Sequence, residues 1–244
     1  MDYDMLCQKR EQLSLLCEQL PKEVLQSFDR SFEVEYTHNS TAIEGNTLSL
    51  IQTKAILEDG ISVGGKTLRE IYEVVNHNKA FGFVKKCVTE GKALDETIIK
   101  EIHALLMENI LTGGVYRNVE VRISGAKHKP PVPSEMYHQI KNFYADMPYK
   151  VKENAIEFAA WTHAEFVKIH PFQDGNGRVG RLIMFKECLK HGIVPFIIED
   201  DIKMFYYRGL KEWKYGKGYL RDTCLSAQDK YKAYLDYFRI PYEK

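Results

Sequence analysis

His170-Pro171-Phe172-Gln173-Asp174-Gly175-Asn176-Gly177-Arg178-Val179-Gly180-Arg181 is the stretch from which the rest of the chain can be read. It sets a base, a carboxylate, glycines and two arginines side by side, which is the chemistry of phosphate handling. Gly175 and Gly177 let the backbone turn sharply and approach a ligand closely. After Arg178 the apolar residues Leu182, Ile183, Phe185 and Leu189 fall at helical spacing, so the loop is expected to open onto a helix N-terminus near Arg178. The first N–H groups of a helix lack internal partners and carry the positive end of its dipole, so such an end attracts anions. Upstream, Ala155, Phe158, Ala159, Thr162, Phe166 and Ile169 predict a core helix over 154–169 that delivers His170. The base and the anion loop then lie between two helix ends that the core holds fixed.

Each polar member suggests a role in displacement at phosphorus. His170 alone can take up a proton near neutral pH, so it is the candidate general base. Asp174 offers hard carboxylate oxygens, and Mg2+ bound to phosphates needs only one or two protein carboxylates. Arg178 and Arg181 are three residues apart on a helical turn, where both can fork onto phosphate oxygens.

Outward from this stretch the chain reads as mostly helical. Met5, Leu6, Leu13, Leu16 and Leu20 predict an amphipathic helix over 4–20, stopped by Pro21. A second helix is expected from Lys22 to Ile43, with Gly45 as its C-cap. Ser40 and Glu44 share a face of it, but a carboxylate at the negative end of a helix is disfavoured by about 0.3–1 kcal/mol, so a cation should hold Glu44. Ser49 with Gln52, and Thr67 with Glu70, form capping boxes that start helices near 50 and 68. The latter should run to about Val88, with Gly91 ending it and Asp95 capping the next. His77 and His103 lie inside these helices with no metal-binding partner at helical spacing, and read as structural.

The helical period breaks at Gly113 to Arg117 and the alternating Glu120 to Ser124, which predict a hairpin arm. Lys129 to Pro133 is too proline-rich to join a sheet, so this arm should present an edge to which another chain can pair. Lys186, Lys190 and His191 suit the C-terminal end of the helix after the central motif, with Gly192 ending it. Two or three more helices are expected in the tyrosine-rich residues 193–244.

The 244 residues are 44% hydrophobic, enough for a substantial core, and 34 basic residues balance 34 acidic ones. That balance argues against nucleic acid or an anionic membrane as partner and leaves any attraction for phosphate local. Five scattered cysteines without a Cys-x-x-Cys pair suggest neither a zinc site nor a disulfide framework, which fits a reducing cytoplasm. No apolar run approaches the roughly 20 residues of a membrane span. No linker divides the chain, and the expected organisation is helices over 1–39 packed on a core over 40–210, with a helical extension over 211–244.

The central stretch resembles the Fic family, matching the signature His-Pro-Phe-x-Asp-Gly-Asn-Gly-Arg-x-Gly-Arg at every fixed position. Glu73 to His77, Gly114 to Arg117, Val121 to Gly125 and Lys129 to Pro131 are also similar to family features. The resemblance implies an all-α bundle with a short β-hairpin flap near 114–125, and an enzyme that transfers AMP from Mg-ATP to a protein hydroxyl, releasing pyrophosphate. It implies His170 as base, Asp174 as magnesium ligand and Phe172 as a buried anchor. Gly175, Asn176 and Gly177 would line the phosphate pocket, Arg178 and Arg181 would hold the β- and γ-phosphates, and Tyr206 and Tyr207 would lie near the adenine. Val121, Arg122 and Ile123 on the flap would clamp the target.

Ser40-x-x-x-Glu44-Gly45 resembles the inhibitory motif of members that carry an N-terminal inhibitory helix. This implies that Glu44 pairs with Arg181 in the place of the γ-phosphate. Met184-Phe185 departs from the family, which often has asparagine after the methionine. The implied partners are ATP, a target protein docking on the flap, the chain itself as acceptor, and a second copy in a homodimer. Phosphate transfer as in the Doc-like branch, removal of AMP from a modified protein, and a non-catalytic nucleotide-regulated binding module remain as alternatives.

Overall fold

The protein is described from a computed structural model, which covers residues 22–123, 128–151, 155–193 and 196–216, with 218–220, 222–224, 226–227 and 237. The expected helix over 4–20 lies outside the described residues. Short-range rules set most of the remaining boundaries. Ser49 Oγ accepts from Gln52 N at 3.2 Å while Gln52 Oε1 accepts from Ser49 N at 3.0 Å, and Thr67 and Glu70 repeat the exchange. These reciprocal boxes, each worth about 1 kcal/mol, start helices at Leu50 and Leu68. Asp95 Oδ1 caps the next through Ile98 N at 2.8 Å.

In chain order the helices are α1 (Lys22–Ala42), α2 (Leu50–Asp59), α3 (Leu68–Thr89), α4 (Glu96–Met107), α5 (Pro133–Lys150), α6 (Ala155–Ile169) and α7 (Asn176–Lys190). A 3-10 turn (Asp200–Ile202) then leads into α8 (Lys203–Glu212). Helix α1 runs without a break from Lys22 to Ala42, so Ser40 lies in its last turn and Glu44 in the turn that follows. No described helix is long and apolar enough to cross a membrane.

Helix α7 is the hub. It packs on α6, α3 and α4, with α1 laid against α2 and α3. Val179, Leu182 and Ile183 of α7 join Phe81, Ile102, Phe166 and Phe172 in the main core. Burying such a side chain is worth about 1.5–3 kcal/mol, and this is what fixes the first turn of α7 relative to the loop before it. Helix α5 rises directly from the proline-rich run. Pro133 stands at its first turn, where a missing N–H costs nothing, and Met136, Ile140, Phe143 and Met147 bury its inner face.

Three expectations are corrected. Helix α7 begins at Asn176 rather than near Arg178, because Gly175 adopts a left-handed conformation (φ 76°) and caps it. Lys186 does not interact with solvent at a helix end. It is fully buried, donating to Lys92 O at 2.7 Å and lying 3.2 Å from Glu187 Oε1. The expected hairpin is absent from the described residues, which contain no strand; Ser124 to Lys127 lie outside them. In place of pairing with itself, the segment is tied down by Arg117, whose N–H donates to Pro171 O at 2.9 Å and whose guanidinium holds Pro131 O at 2.6 Å.

Candidate active site

The loop between α6 and α7 is a rigid bracket. Asn176 Oδ1 accepts from Phe172 N and Asn176 Nδ2 donates to Phe172 O, both at 2.9 Å, which closes a ring across the turn. Phe172 is buried and stacks on the His103 ring with centroids 3.7 Å apart. Gly175 has a left-handed φ of 76°, which favours glycine, and a side chain there would push the end of Met107 aside. His170 is itself left-handed (φ 53°), a conformation that costs a residue with a side chain about 1–3 kcal/mol and persists only when its surroundings impose it.

His170 Nδ1 lies 3.2 Å from Val167 O, and since a carbonyl only accepts, Nδ1 carries the hydrogen. Nε2 keeps its lone pair. Burial lowers the His170 pKa, Arg117 and His128 act in the same direction, and the Val167 bond and Glu44 oppose them. The imidazole is therefore poised neutral, as a base must be.

Asp174 is gripped by cations. Its Oδ2 takes Arg69 Nη2 at 2.5 Å and its Oδ1 takes Arg178 Nη2 at 3.2 Å. Burial raises its pKa, but Arg178, the Gly175 N–H and Arg69 outweigh burial and hold the carboxylate ionised. Glu73 on α3 completes the group, 3.2 Å from Arg69 Nε and 3.5 Å from Arg178 Nη1. Arg178 is only 2% exposed, yet its Nε and Nη1 make no hydrogen bond among the described residues.

Arg181 is equally buried but fully engaged. Nε donates to Ser40 Oγ at 2.9 Å, Nη2 to Ser40 O at 2.6 Å and to Glu44 Oε1 at 2.8 Å, and Nη1 to Tyr206 Oη at 3.2 Å. This is the cation that a carboxylate just past the end of α1 requires, and it also donates to the Ser40 carbonyl in the last turn of that helix. Burial lowers the Arg181 pKa, but Tyr206 and Glu44 more than offset it, leaving the guanidinium above its ordinary value. Glu44 sits in a cradle over Gly177, where any side chain would collide with its carboxylate.

Two histidines back this arrangement. An arginine can only donate, so the Ser40 hydroxyl passes its hydrogen to His77 Nε2 at 2.9 Å, and His77 Nδ1 turns to Thr37 Oγ1 at 3.3 Å. On the other side His163 Nε2 lies 2.8 Å from Tyr206 Oη. Burial, then Arg181, keeps both rings neutral: the His77 pKa is well below its ordinary value and that of His163 falls to about 3. His103 accepts from Gly114 N at Nδ1 (2.8 Å) and so donates from Nε2 to Asp174 O (3.2 Å); burial lowers its pKa to about 4.

The structure thus brings His170, Asp174, Gly175, Asn176, Gly177, Arg178 and Arg181 together with Ser40 and Glu44. Tyr206 is buried under Arg181, while Tyr207 is 41% exposed and donates to Ile43 O at 2.9 Å. Val121 and Ile123 are half-buried and Arg122 exposed, in the irregular segment after Arg117. Arg69, His163 and the hydrogen-bonding roles of His77 and His103 were not foreseen. Arg69 and Glu73 read only as a helix-surface pair four apart, and nothing local marks the histidines.

Residues 93–188 match the Fic/DOC family. The chain is 34% identical to a protein adenylyltransferase Fic of Nematostella vectensis, over 82% of this chain and 48% of that protein. It is 30% identical to one of Aedes aegypti, over 84% and 41%. The chain thus spans about half the length of the curated relatives it matches. Among solved structures, Fic-1 (aa134–508) from C. elegans superposes with a TM-score of 0.79 at 27% identity, over 94% of this chain and 71% of that one. A Fic domain containing signaling protein from Bacteroides thetaiotaomicron gives a TM-score of 0.76 at 25% identity, over 96% and 92%.

Proposed function

We propose that the chain, whose residues 93–188 match the Fic/DOC family, is an autoinhibited protein adenylyltransferase. It moves AMP from Mg-ATP to a hydroxyl of a target protein and releases pyrophosphate. The observation that carries this reading is an acidic side chain, Glu44, seated over Gly177 on Arg181, beside a second buried arginine with unmade donors. An anion site occupied by the chain's own carboxylate, next to one still open, is what a self-blocked triphosphate pocket requires.

In the reaction the target hydroxyl oxygen attacks the α-phosphorus, its proton passes to His170 Nε2, and the bond from the α-phosphorus to the bridging oxygen breaks, so that pyrophosphate leaves. The free Nε2 lone pair and the depressed pKa suit His170 to that proton. The unmade donors of Arg178 fit a phosphate oxygen, and the N-terminal N–H groups of α7 at Asn176 and Gly177 add to the cradle. Tyr206 acts through Arg181, and Tyr207 stands nearer the opening.

Asp174 fits magnesium, because it is a hard oxygen donor held ionised. Bound there, the ion would neutralise developing phosphate charge.

Residues 118–123 have no strand partner among the described residues, which leaves backbone at Val121 to Ile123 for a target segment to pair with as a flap. Self-modification belongs to the same reading: Tyr215 and Tyr237 are 87% and 80% exposed, and intact mass would register AMP on them, whereas Tyr231, Tyr234 and Tyr242 lie outside the described residues. A reducing cytoplasmic setting goes with the free, buried Cys87, Cys188 and Cys224.

The test is label transfer to lysate proteins. Glu44→Gly should transfer label from α-labelled ATP far faster than wild type, and His170→Ala in that background should lose roughly 10²–10⁴-fold. Label from γ- but not α-labelled ATP would overturn the reading in favour of phosphotransfer.

A further inference from the structure

Arg117 lies outside the phosphate-handling set, yet it touches everything that aims the base. Its side chain is 3% exposed, and its three nitrogens all go to backbone carbonyls: Nε to His170 O at 2.8 Å, Nη1 to Val119 O at 2.9 Å and Nη2 to Pro131 O at 2.6 Å. Its own N–H donates to Pro171 O at 2.9 Å. None of these bonds goes to a carboxylate; Glu120 acts on it only through space. A buried cation spent wholly on carbonyls is costly unless those carbonyls must be held.

The carbonyls it holds are not equivalent. That of His170 follows a left-handed residue with a side chain, which the local sequence does not favour. That of Val119 belongs to the segment leading to Val121, and that of Pro131 precedes α5. One planar fork therefore joins the base, the segment expected to receive the target, and the fixed end of a core helix.

We propose that Arg117 is the positioning residue of the base, holding the left-handed peptide of His170 and coupling its aim to the segment that receives the target. This rests on the adenylyltransferase reading for its catalytic consequence and on geometry alone for the hold itself. The charge adds a second effect. Four groups act on the His170 imidazole: Val167 O through its hydrogen bond, Glu44 from the end of α1, His128 from the proline-rich segment, and Arg117. Glu44 and the Val167 bond favour the protonated ring, whereas His128 and Arg117 disfavour it. Loss of the Arg117 charge therefore raises the pH at which the base protonates, and moves the acid limb of the rate profile upward.

The experiment uses the full chain carrying Glu44→Gly as parent, with Arg117→Lys and Arg117→Met added in turn. Lysine keeps the charge but cannot bridge three divergent carbonyls. It should lower kcat about 10–100-fold, leave the KM for ATP nearly unchanged, and leave the acid limb of kcat/KM in place. Methionine should lower kcat at least as far and move that limb up by about one pH unit. Parent-like kcat in both variants would overturn the proposal, as would an equal rise in KM and fall in kcat. If Arg117→Met shows no cooperative melt, Arg117→Lys decides. Should the parent transfer no AMP, the functional reading fails while the hold remains testable. Imidazole ¹⁵N spectra of the full chain read the His170 tautomer without turnover: loss of the single Nδ1–H form in Arg117→Lys supports the hold, and an unchanged spectrum overturns it.

Discussion

Arg178 and Arg181 stand three residues apart on one helix, each 2% exposed, and their surroundings are opposite. Arg181 has every side-chain nitrogen engaged, by Ser40, Glu44 and Tyr206, and the first two lie about 140 residues away along the chain. Arg178 hydrogen-bonds Asp174; its Nη1 is ion-paired at 3.5 Å with Glu73 Oε1 without a hydrogen bond, and its Nε has no partner among the described residues. The first meets a carboxylate of the chain itself, and the second keeps a buried nitrogen without a hydrogen bond among the described residues. The difference arises because the end of α1 and residue 206 converge on one side of α7, whereas the other side meets only the half-exposed group of Arg69, Glu73 and Asp174.

The largest effect that sharpens this contrast is acid destabilisation. His77 and His163 stand at the Arg181 end and His103 at the Asp174 end, all neutral in the fold. The unfolded chain takes up their protons near the ordinary value of about 6.5, whereas the folded one resists until about 4 for His103 and about 3 for His163. Stability is thus full above about pH 6.5 and falls as pH drops through that window, by up to about 1.4 kcal/mol per pH unit for each such histidine. Urea titrations at pH 7, 6 and 5 would measure it, and His103→Gln should make the slope shallower. A flat profile over that range contradicts the neutral histidines.

Next in size is the arginine contrast itself. Arg181→Ala strands Ser40, Glu44 and Tyr206 together, and should cost about 3 kcal/mol, the low end for a broken buried pair because the Glu44 side chain is 35% exposed. Arg178→Ala should cost less than half of that, since its partners keep Arg69. Equal losses in urea unfolding would erase the distinction. Slightly smaller is the ligand effect. If the closed lock outweighs the open form about 99:1, Mg-ATP should stabilise Glu44→Gly by about 2.7 kcal/mol more than it stabilises wild type, read as a larger thermal shift at matched concentration. The same shift in both would mean that Glu44 does not compete with nucleotide.

The catalytic loop was legible because its rules are local. Glycines, a helix start and a base fall within twelve residues, and the capping boxes at Ser49 and Thr67 span four each. What escaped depended on distant partners. Lys186 reads as a helix-end cation until Lys92 O and Glu187 draw it inside. The alternation at Glu120 to Ser124 reads as a strand, but alternation alone does not form a ladder without a partner, and Arg117 spends the neighbouring carbonyls otherwise. That a cation should hold Glu44 was legible from its place at a helix end, but that the cation is a guanidinium 137 residues away came only through the family resemblance. The His163–Tyr206 pair had no signal at all in spacing.

The smallest test isolates one hydroxyl of the lock. Ser40 Oγ accepts from Arg181 Nε and donates to His77 Nε2, so Ser40→Ala leaves one buried donor and one buried acceptor unpaired while the ion pair to Glu44 survives. The loss should be about 1–2 kcal/mol, with Ser40→Thr near wild type because the hydroxyl is kept. That free energy is drawn from the closed form, in which Ser40 meets Arg181, so basal AMP transfer should rise about 5–30-fold, less than in Glu44→Gly. The comparison with Arg178 gives the control, because no atom of Ser40 is hydrogen-bonded there. Arg178→Ala and Ser40→Ala should therefore add in a double mutant within about 0.5 kcal/mol, whereas Ser40→Ala and Glu44→Gly, which share Arg181, should not. Additivity of the second pair would show that hydroxyl and carboxylate hold Arg181 independently, and the lock would then be two separate contacts rather than one.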